Sequence, residues 1–337
     1  MDWFERLTGF QEKTYDDTRS NLKVEGGRLQ SLVNQKDYGV GDLALASLQD
    51  LREKAKLVCG LAGRVNVSVV IGDVRQMHGL SENAGALFQV ASQFNLLEMT
   101  SPSITPELGV TRYQHDHTQG PACVIAAGAA TIYRNYFAPV GAGYGQTAKR
   151  QFDGLADIGQ VLSHSLNQPV QALWKMQNGY ALCTRAGLHA IAKYLERIGP
   201  TEKDHLRGKL RIGIQTDVEV TDAAKGPRPL VSQAFCSALP VAYTNIASAH
   251  WEPFATLILE AAYEATMWAA VLNAKRGASN VVLLTALGGG AFGNSENWIF
   301  TAMHRALQIV SGYELKASLV SYRAPSENIL RLVRHFQ

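Results

Sequence analysis

The sequence predicts an α/β fold in which helices flank a layered, mixed β-sheet. One observation is a series of apolar or β-branched runs of strand length, at 65–71, 85–91, 210–220, 230–239, 281–287 and 315–320. Another is that apolar residues recur at helical spacing between several of these runs, most clearly over 254–275. Strands that alternate with helices in this way are typical of a layered sheet.

The composition is that of a globular protein with a sizeable core. The chain has 337 residues, 46% hydrophobic and 18% charged, enough for one elaborate domain or a domain with a large insertion. Its 32 basic and 29 acidic residues are well mixed and give a net charge of +3, so no nucleic-acid partner is expected. The N-terminus lacks an apolar signal core, and the weakly polar run 120–133 is too short to span a bilayer. We therefore expect a cytoplasmic protein without membrane insertion, although a nonclassical export signal would leave no such mark.

Four cysteines, Cys59, Cys123, Cys183 and Cys236, are widely spaced along the chain. They form no CxxC pair and no Cys–His pair at zinc spacing, and a chain of this length does not need disulfides. We expect reduced thiols, and neither a metal nor a cofactor.

The predicted domain organisation divides the chain at residue 64. Residues 1–64 are predicted to form a helical N-terminal extension, which includes a helix through Leu43, Leu45, Leu48, Leu51 and Leu57. Residues 65–337 are predicted to form the α/β domain, with 139–227 as an insertion or an elaborated segment. Within that segment we expect an amphipathic helix over 182–198, ended by Pro200, and a turn over 225–229.

Polar residues close two neighbouring predicted strands. Asp73 follows the strand at 65–71, and Asn95 follows the strand at 85–91. In an open α/β sheet, ligands lie outside the carboxyl ends of the strands, so both side chains are candidates for a binding site. The alternative for each is a turn-forming residue that stabilises only the local backbone.

A strand, a Gly-rich loop and a helix follow one another after residue 281. The apolar run ends at Gly288, Gly289 and Gly290, and Asn294 or Ser295 can cap the next helix. Glycines let backbone N–H groups approach a phosphate, and the helix start adds free donors and a positive dipole end. The loop lacks the lysine of a P-loop and the spacing of a dinucleotide fingerprint, which leaves a nucleotide diphosphate bound without lysine. The alternative is an ordinary tight turn whose glycines serve packing only.

Together these motifs resemble the macrodomain family, whose members bind ADP-ribose. The resemblance covers roughly 65–138 and 228–335. It implies that Asp73, with Val74 beside it, contacts the adenine and that Asn95 contacts the distal ribose. It also implies that the late loop wraps the diphosphate and places an aromatic ring against the distal ribose, through Gly288, Gly289, Gly290, Ala291, Phe292, Gly293 and Asn294.

The first loop departs from the macrodomain pattern. A three-glycine run usually follows the asparagine closely, whereas this chain continues through a Pro-containing stretch to Thr118-Gln119-Gly120-Pro121. Residues 122–130 resemble the small-residue helix that follows the first loop in the family. Thr118, Gln119 and Gly120 are therefore predicted to replace the glycine run as ligand contacts.

The same loop holds the densest group of ionisable side chains near the predicted ligand. Cleavage of an ADP-ribosyl bond develops positive charge at the distal ribose, and a carboxylate can stabilise that charge or draw a proton from water. Glu98 and Asp116 are both candidates for this role, with Asn95 orienting the ribose; the alternative is that both carboxylates are solvated loop residues. His115 and His117 flank Asp116, but no third ligand stands at a recognisable spacing, so a metal site is not expected.

Two function classes remain open from the sequence. One is a hydrolase that removes ADP-ribose from modified protein side chains, and the other is a reader that binds ADP-ribose without cleaving it. The loop carboxylates favour the enzyme, because a reader has no use for Glu98 or Asp116 beside the ribose. An acidic loop also suits a cationic leaving group such as ADP-ribosylated arginine. The expected partners are ADP-ribose and ADP-ribosylated proteins.

Overall fold

A computed structural model of the chain describes residues 1–57, 60–223 and 227–337. The strands are β1 (Leu22–Glu25), β2 (Arg28–Ser31), β3 (Asp37–Gly39), β4 (Asp42–Ser47), β5 (Asn66–Ile71), β6 (Leu87–Ala91), β7 (Pro139–Val140), β8 (Gly143–Tyr144), β9 (Trp174–Gln177), β10 (Tyr180–Cys183), β11 (Arg211–Glu219), β12 (Leu230–Cys236), β13 (Val281–Leu284) and β14 (Lys316–Ser321).

The α-helices precede, separate and follow these strands along the chain. They are α1 (Trp3–Thr8), α2 (Tyr15–Ser20), α3 (Leu48–Lys56), α4 (Val74–His78), α5 (Gln119–Ala126), α6 (Gly128–Tyr136), α7 (Ala156–Leu166), α8 (Val170–Leu173), α9 (Arg185–Arg197), α10 (Pro200–Gly208), α11 (Glu252–Lys275), α12 (Glu296–Ile309) and α13 (Glu327–His335). Short 3₁₀ turns occur at Ser81–Asn83, Pro106–Leu108, Thr111–His115, Val241–Tyr243 and Ser248–His250.

Seven strands form the central sheet, in the order β4-β11-β12-β6-β13-β14-β5. The five strands from β12 to β5 are parallel to their neighbours, whereas β4, β11 and β12 pair antiparallel. The predicted α/β class with a mixed sheet flanked by helices is confirmed. Because the carboxyl ends of parallel strands lie at one edge of a sheet, residues that follow β5, β6, β12, β13 and β14 come together there.

The long helix α11 packs against the sheet and is buried along most of its length, as its apolar stripe predicts. It is the one helix among the described residues that is long and apolar enough to cross a membrane, but 78% of its most apolar window is buried inside the protein. A buried core helix can be equally long and apolar, so the length and composition of α11 are only weak evidence for a membrane span.

Helix α12 also follows its prediction. All six of its predicted apolar positions are buried, namely Trp298, Ile299, Ala302, Met303, Ala306 and Leu307. Ser295 occupies the cap position without a side-chain hydrogen bond. Asn294 does not cap the helix; its amide donates instead to the carbonyl of Leu239 at 2.8 Å.

The prediction that residues 1–64 are helical is wrong for much of that segment. β1, β2 and β3 form a small antiparallel sheet, and β4 is the edge strand of the central sheet. Leu43 and Leu45 are two residues apart, which is strand spacing, and they pair with β11. The helix begins only at Leu48, where Ser47 and Asp50 form a reciprocal capping box.

Three smaller predictions also change. The helix expected over 182–198 begins later, because residues up to Cys183 belong to β10 and Thr184 caps α9. Pro200 starts α10 rather than only ending a helix, since proline is favoured in the first helical turn. The helix expected over 122–130 is two helices that break at Ala127. The predicted turn at 225–229 lies partly outside the described residues.

Candidate functional site

Two adjoining cavities lie at the carboxyl edge of the parallel strands. The first, of about 260 Å³, is bounded by the ends of β6 and β12, the start of α5 and the Gly-rich loop after β13. The second, of about 500 Å³, lies between the ends of β5 and β14 and the same helix start. Both are lined by Asp116, Thr118, Gln119, Thr285 and Ala286. The cavities therefore meet at the N-terminus of α5 and form one elongated cleft.

Glu98 is the buried acid of the first cavity. Its side chain lines the cavity although the residue is only 3% exposed, and Oε1 has no hydrogen-bond partner. Burial raises the pKa of this carboxyl well above its usual range, with Arg134 opposing and Asp116 reinforcing the shift. A neutral carboxyl group facing a cavity is able to donate a proton there.

The N-terminus of α5 lies directly beside Glu98. A Cβ built on Gly120 would stand 2.4 Å from Oε2 of Glu98 and 2.0 Å from the carbonyl oxygen of Ala91, so only glycine permits this approach. In the described part of the chain, the N–H groups of Gln119 and Gly120 donate to no protein acceptor. The start of α5 therefore offers free donors and a positive dipole end.

The Gly-rich loop supplies a second set of free donors. The N–H groups of Gly288, Gly290, Ala291 and Phe292, all lining residues, make no hydrogen bond to any described residue. Gly288 has φ +74°, and a Cβ there would lie 2.4 Å from that of Ala238, which explains the glycine.

The other three residues of this loop build its fold rather than line the cavity. Gly289 and Gly293 close turns with Ala286 and Gly290, and Asn294 N–H donates to the carbonyl of Gly288 at 2.9 Å. None of the three lines either cavity, so their positions do not support the predicted role as ligand contacts.

Asp73 and Val74 line the second cavity. The Asp73 carboxylate caps α4 by accepting from the N–H of Arg75 at 2.8 Å, so the turn-forming role is real, and Oδ2 makes no hydrogen bond to a described residue. The cavity wall around it is largely apolar, and the ring of Tyr322, 77% exposed, stands at its rim.

Asp116 lies where the two cavities meet. Its Oδ1 accepts from both the N–H of Thr118 at 2.9 Å and the hydroxyl of Thr118 at 2.7 Å. It therefore fixes the turn that starts α5. The amide of Gln119 is likewise occupied, since it bonds to the backbone of Ala91 and Gln89 at the end of β6.

Asn95 is kept away from the cleft. It is fully buried, its Nδ2 donates to Gln151 at 2.9 Å, and its Oδ1 accepts from the N–H of Leu97 at 3.1 Å. Gln151 in turn donates to Asn178, whose amide donates to the carbonyl of Pro102. The structure does not bring Asn95 together with the other predicted site residues; it supports the loop that carries Glu98.

Distant segments hold the same loop in place. Glu12, near the N-terminus, accepts from the N–H groups of Val110 and Thr111 at 2.9 and 2.7 Å. The fully buried Arg134 donates to the carbonyl of Leu96 at 3.0 Å, where the chain takes an unusual φ of +65°. These contacts fix the backbone on both sides of Glu98.

Sequence reasoning missed several lining residues. Tyr180, Tyr243 and Thr285 line the first cavity, and Thr285 and Tyr322 line the second. Thr285 and Tyr322 each follow a strand of the parallel block, so the rule that identified Asp73 applies to them. No local pattern marks Tyr180 or Tyr243, because long-range packing brings them to the site.

No metal centre is evident in the parts of the chain that the structure describes, where no three His, Cys, Asp or Glu side chains are grouped to hold an ion. His115 and His117 are exposed. Cys123, Cys183 and Cys236 are buried free thiols, and Cys59 lies outside the described residues.

No protein-family model matches the chain, and no curated protein matches it in sequence. Among solved structures, it is similar to poly(ADP-ribose) glycohydrolase from Deinococcus radiodurans in complex with ADP-ribose, with 12% identity and a TM-score of 0.46 over 87% of this chain and 93% of the other. It is also similar to poly(ADP-ribose) glycohydrolase from Thermomonospora curvata, with 13% identity and a TM-score of 0.45 over 96% and 97% of the two chains. At these values the likeness assigns neither a family nor an activity to this chain.

Proposed function

We propose that the protein binds ADP-ribose along the cleft and hydrolyses the glycosidic bond that joins its distal ribose to a modified protein side chain. The observation that carries the proposal is Glu98. It is a buried carboxyl group with an unpartnered oxygen, in a cavity that also presents free backbone N–H donors. Burying a carboxyl group without a partner destabilises the fold, so such groups are usually retained where they have a function. They concentrate at catalytic sites for this reason.

The shape of the cleft supports an extended dinucleotide-like ligand. The adenine would lie in the second cavity, between its apolar wall and the ring of Tyr322, with the free oxygen of Asp73 as acceptor for the exocyclic amine. The diphosphate would lie where the cavities meet, beside the free N–H groups of the lining residues Gln119 and Gly290. The distal ribose would then lie in the first cavity, beside Glu98 and Phe292.

The chemistry proposed for Glu98 follows from its raised pKa. The neutral carboxyl donates its proton to the departing atom while the bond between that atom and C1 of the ribose breaks. Water adds to the oxocarbenium-like C1 and gives up a proton, which returns to the Glu98 carboxylate, so the net reaction is hydrolysis.

Glu98 is favoured over Asp116 as the catalytic group. One oxygen of Asp116 already holds the start of α5, and its place at the join of the cavities puts it nearer the proposed diphosphate than the scissile bond. We assign Asp116 the role of positioning α5. The Asp116 carboxylate nevertheless gives the first cavity an acidic character, which favours an arginine-linked substrate.

Two measurements on the intact protein test the proposal. Calorimetric titration with free ADP-ribose should give binding, and incubation with arginine-, serine- and glutamate-linked ADP-ribosyl peptides should release ADP-ribose from at least one of them. Binding without release from any substrate would leave the alternative, a reader module that uses the same N–H donors. Absence of both would overturn the assignment of the cleft.

A further inference from the structure

Three aromatic rings form one wall of the first cavity. Tyr180 comes from β10, Tyr243 from the turn after β12, and Phe292 from the Gly-rich loop. Their ring centroids are 5.1 Å apart for Tyr180 and Tyr243, 5.3 Å for Tyr180 and Phe292, and 5.5 Å for Tyr243 and Phe292. Three segments that are remote in sequence thus build a single aromatic cluster beside Glu98.

In the part of the chain that the structure describes, the lining of the cavity that contains the cluster has acidic residues but no basic ones. Of the described residues that line it, Glu98 and Asp116 are the only ionisable carboxyl or basic side chains, and neither lysine, arginine nor histidine is present. Burial raises the pKa of the Tyr180 hydroxyl, and Tyr243, Glu98 and Asp116 raise it further.

The position of Tyr180 is fixed. Its hydroxyl donates to the carbonyl of Met99, the residue after Glu98, and only 1% of the residue is exposed. Tyr243 and Phe292 are half-buried and complete the wall. The aromatic wall and the Glu98 loop are thus held in one fixed arrangement.

The chemistry of this arrangement suits a planar cation. Ring faces carry negative electrostatic potential and attract a guanidinium or ammonium group, with arginine the commoner partner because its flat group also stacks. Glu98 lines the same cavity and can exchange a proton with the departing nitrogen of such a group. The anion-binding N–H groups of the Gly-rich loop lie at the same cavity, so a ligand with a diphosphate and a cation satisfies both.

We propose that Tyr180, Tyr243 and Phe292, together with Glu98, form a leaving-group subsite that binds the guanidinium of the arginine from which ADP-ribose is removed. The inference rests on the proposed function. It goes further by assigning the linkage preference to an aromatic wall, one residue of which, Tyr180, lies outside the ranges that resemble macrodomains. It also gives the inserted segment 139–227 a role, because Tyr180 lies in it.

The test measures binding without requiring hydrolysis. N-acetylarginine amide is titrated into the protein with and without saturating ADP-ribose, and N-acetylcitrulline amide, its uncharged analogue of the same shape, is titrated in parallel. The arginine compound should bind about tenfold or more tightly than the citrulline compound, which is the range that a desolvated cation–π contact provides. Equal affinity for the two compounds would overturn the subsite.

Matched variants locate the effect. Tyr243→Leu should abolish most of the preference for arginine over citrulline, whereas Tyr243→Phe should keep most of it because the ring remains. Tyr144→Leu makes the same change at an exposed tyrosine of the inserted segment, outside the cleft, and should leave both affinities unchanged. An undiminished preference in Tyr243→Leu would contradict the proposal.

The two proposals fail in different ways. If the parent hydrolyses serine- or glutamate-linked substrates but shows no preference for the arginine compound, the hydrolase stands and the guanidinium subsite falls. If the arginine compound binds selectively but no ADP-ribosyl substrate is cleaved, the subsite stands as a cation site and the hydrolase falls.

Discussion

At the scale of single residues, Glu98 combines features that a purely structural carboxyl group lacks. Its backbone N–H donates to the hydroxyl oxygen of Tyr113 at 3.3 Å, which holds the backbone in place. Its side-chain Oε1 nevertheless has no hydrogen-bond partner. The nearby buried cation, Arg134, spends its donors on Leu96, Gln215 and Thr131 instead of on this carboxyl. An acid maintained in such a place costs stability, and function is the usual reason for retaining it.

The raised pKa of Glu98 predicts the sign of a pH effect on stability. Above the ordinary value of 4.5, the unfolded chain loses this proton before the folded protein does, so the Glu98 contribution to folding stability falls as the pH rises toward the native value. Glu98→Gln should remove this pH-dependent loss of folding stability, because a glutamine side chain does not titrate.

Urea unfolding of the parent and Glu98→Gln at several pH values checks this expectation. The free energy of unfolding of the variant, relative to that of the parent, should rise between about pH 4.5 and neutrality. A relative stability that stays flat or declines over this range would mean that the folded protein does not hold the Glu98 proton.

At the scale of elements, the site depends on two loops with different supports. The Gly-rich loop is held mainly by its own turns and by Asn294, whose amide reaches Leu239 on the neighbouring segment. The Glu98 loop is held by Glu12 from the N-terminal segment, by Asn178 from the inserted segment and by Arg134 from α6. Three segments that are distant in sequence thus support the Glu98 loop.

Two glycines of the Gly-rich loop offer a matched pair of alanine substitutions. Gly288→Ala requires a side chain at φ +74° and 2.4 Å from the Cβ of Ala238, so it should distort the loop and weaken ADP-ribose binding about tenfold or more, as expected when backbone donors are displaced. In Gly290→Ala the added Cβ meets no protein atom within 4 Å, so the loop donors should stay in place and the affinity for ADP-ribose should fall less than in Gly288→Ala.

Calorimetric titration of both variants with ADP-ribose checks the pair. Equal affinities would show that the loop donors do not hold the ligand. A loss of affinity confined to Gly290→Ala would indicate that the ligand lies directly over that residue. Binding would then depend more on the space above Gly290 than on the conformation of the loop.

At the scale of the whole molecule, local patterns predicted the layers and much of the cleft. The apolar runs located β5, β6, β13 and β14, and the strand-end rule located Asp73. Glu98 was identified by its distance in sequence from the end of β6, although its burial was not foreseen. The strand predictions succeeded because each depends on a few consecutive residues. The roles given to Asp73 and Glu98 stay predictions.

The predictions of side-chain position that failed depended on contacts between distant segments of the chain. Asn95 ends a strand like Asp73, but its side chain turns into the network with Gln151 and Asn178. Tyr180 and Tyr243 reach the cavity only after the inserted segment and the turn after β12 pack together. Periodicity and strand ends contain no information about such packing, since it is fixed by tertiary structure.

The catalytic role of Glu98 is tested most directly by the rate of ADP-ribose release by Glu98→Gln at saturating concentration of the substrate that the parent cleaves best. We expect a rate about 10²–10⁴-fold below that of the parent, because a proton donor acts in the transition state, with ADP-ribose affinity little changed. Asp116→Asn should retain far more activity, since an amide oxygen can still accept from Thr118. Release by Glu98→Gln at the parental rate would contradict the assignment of Glu98 as the catalytic acid.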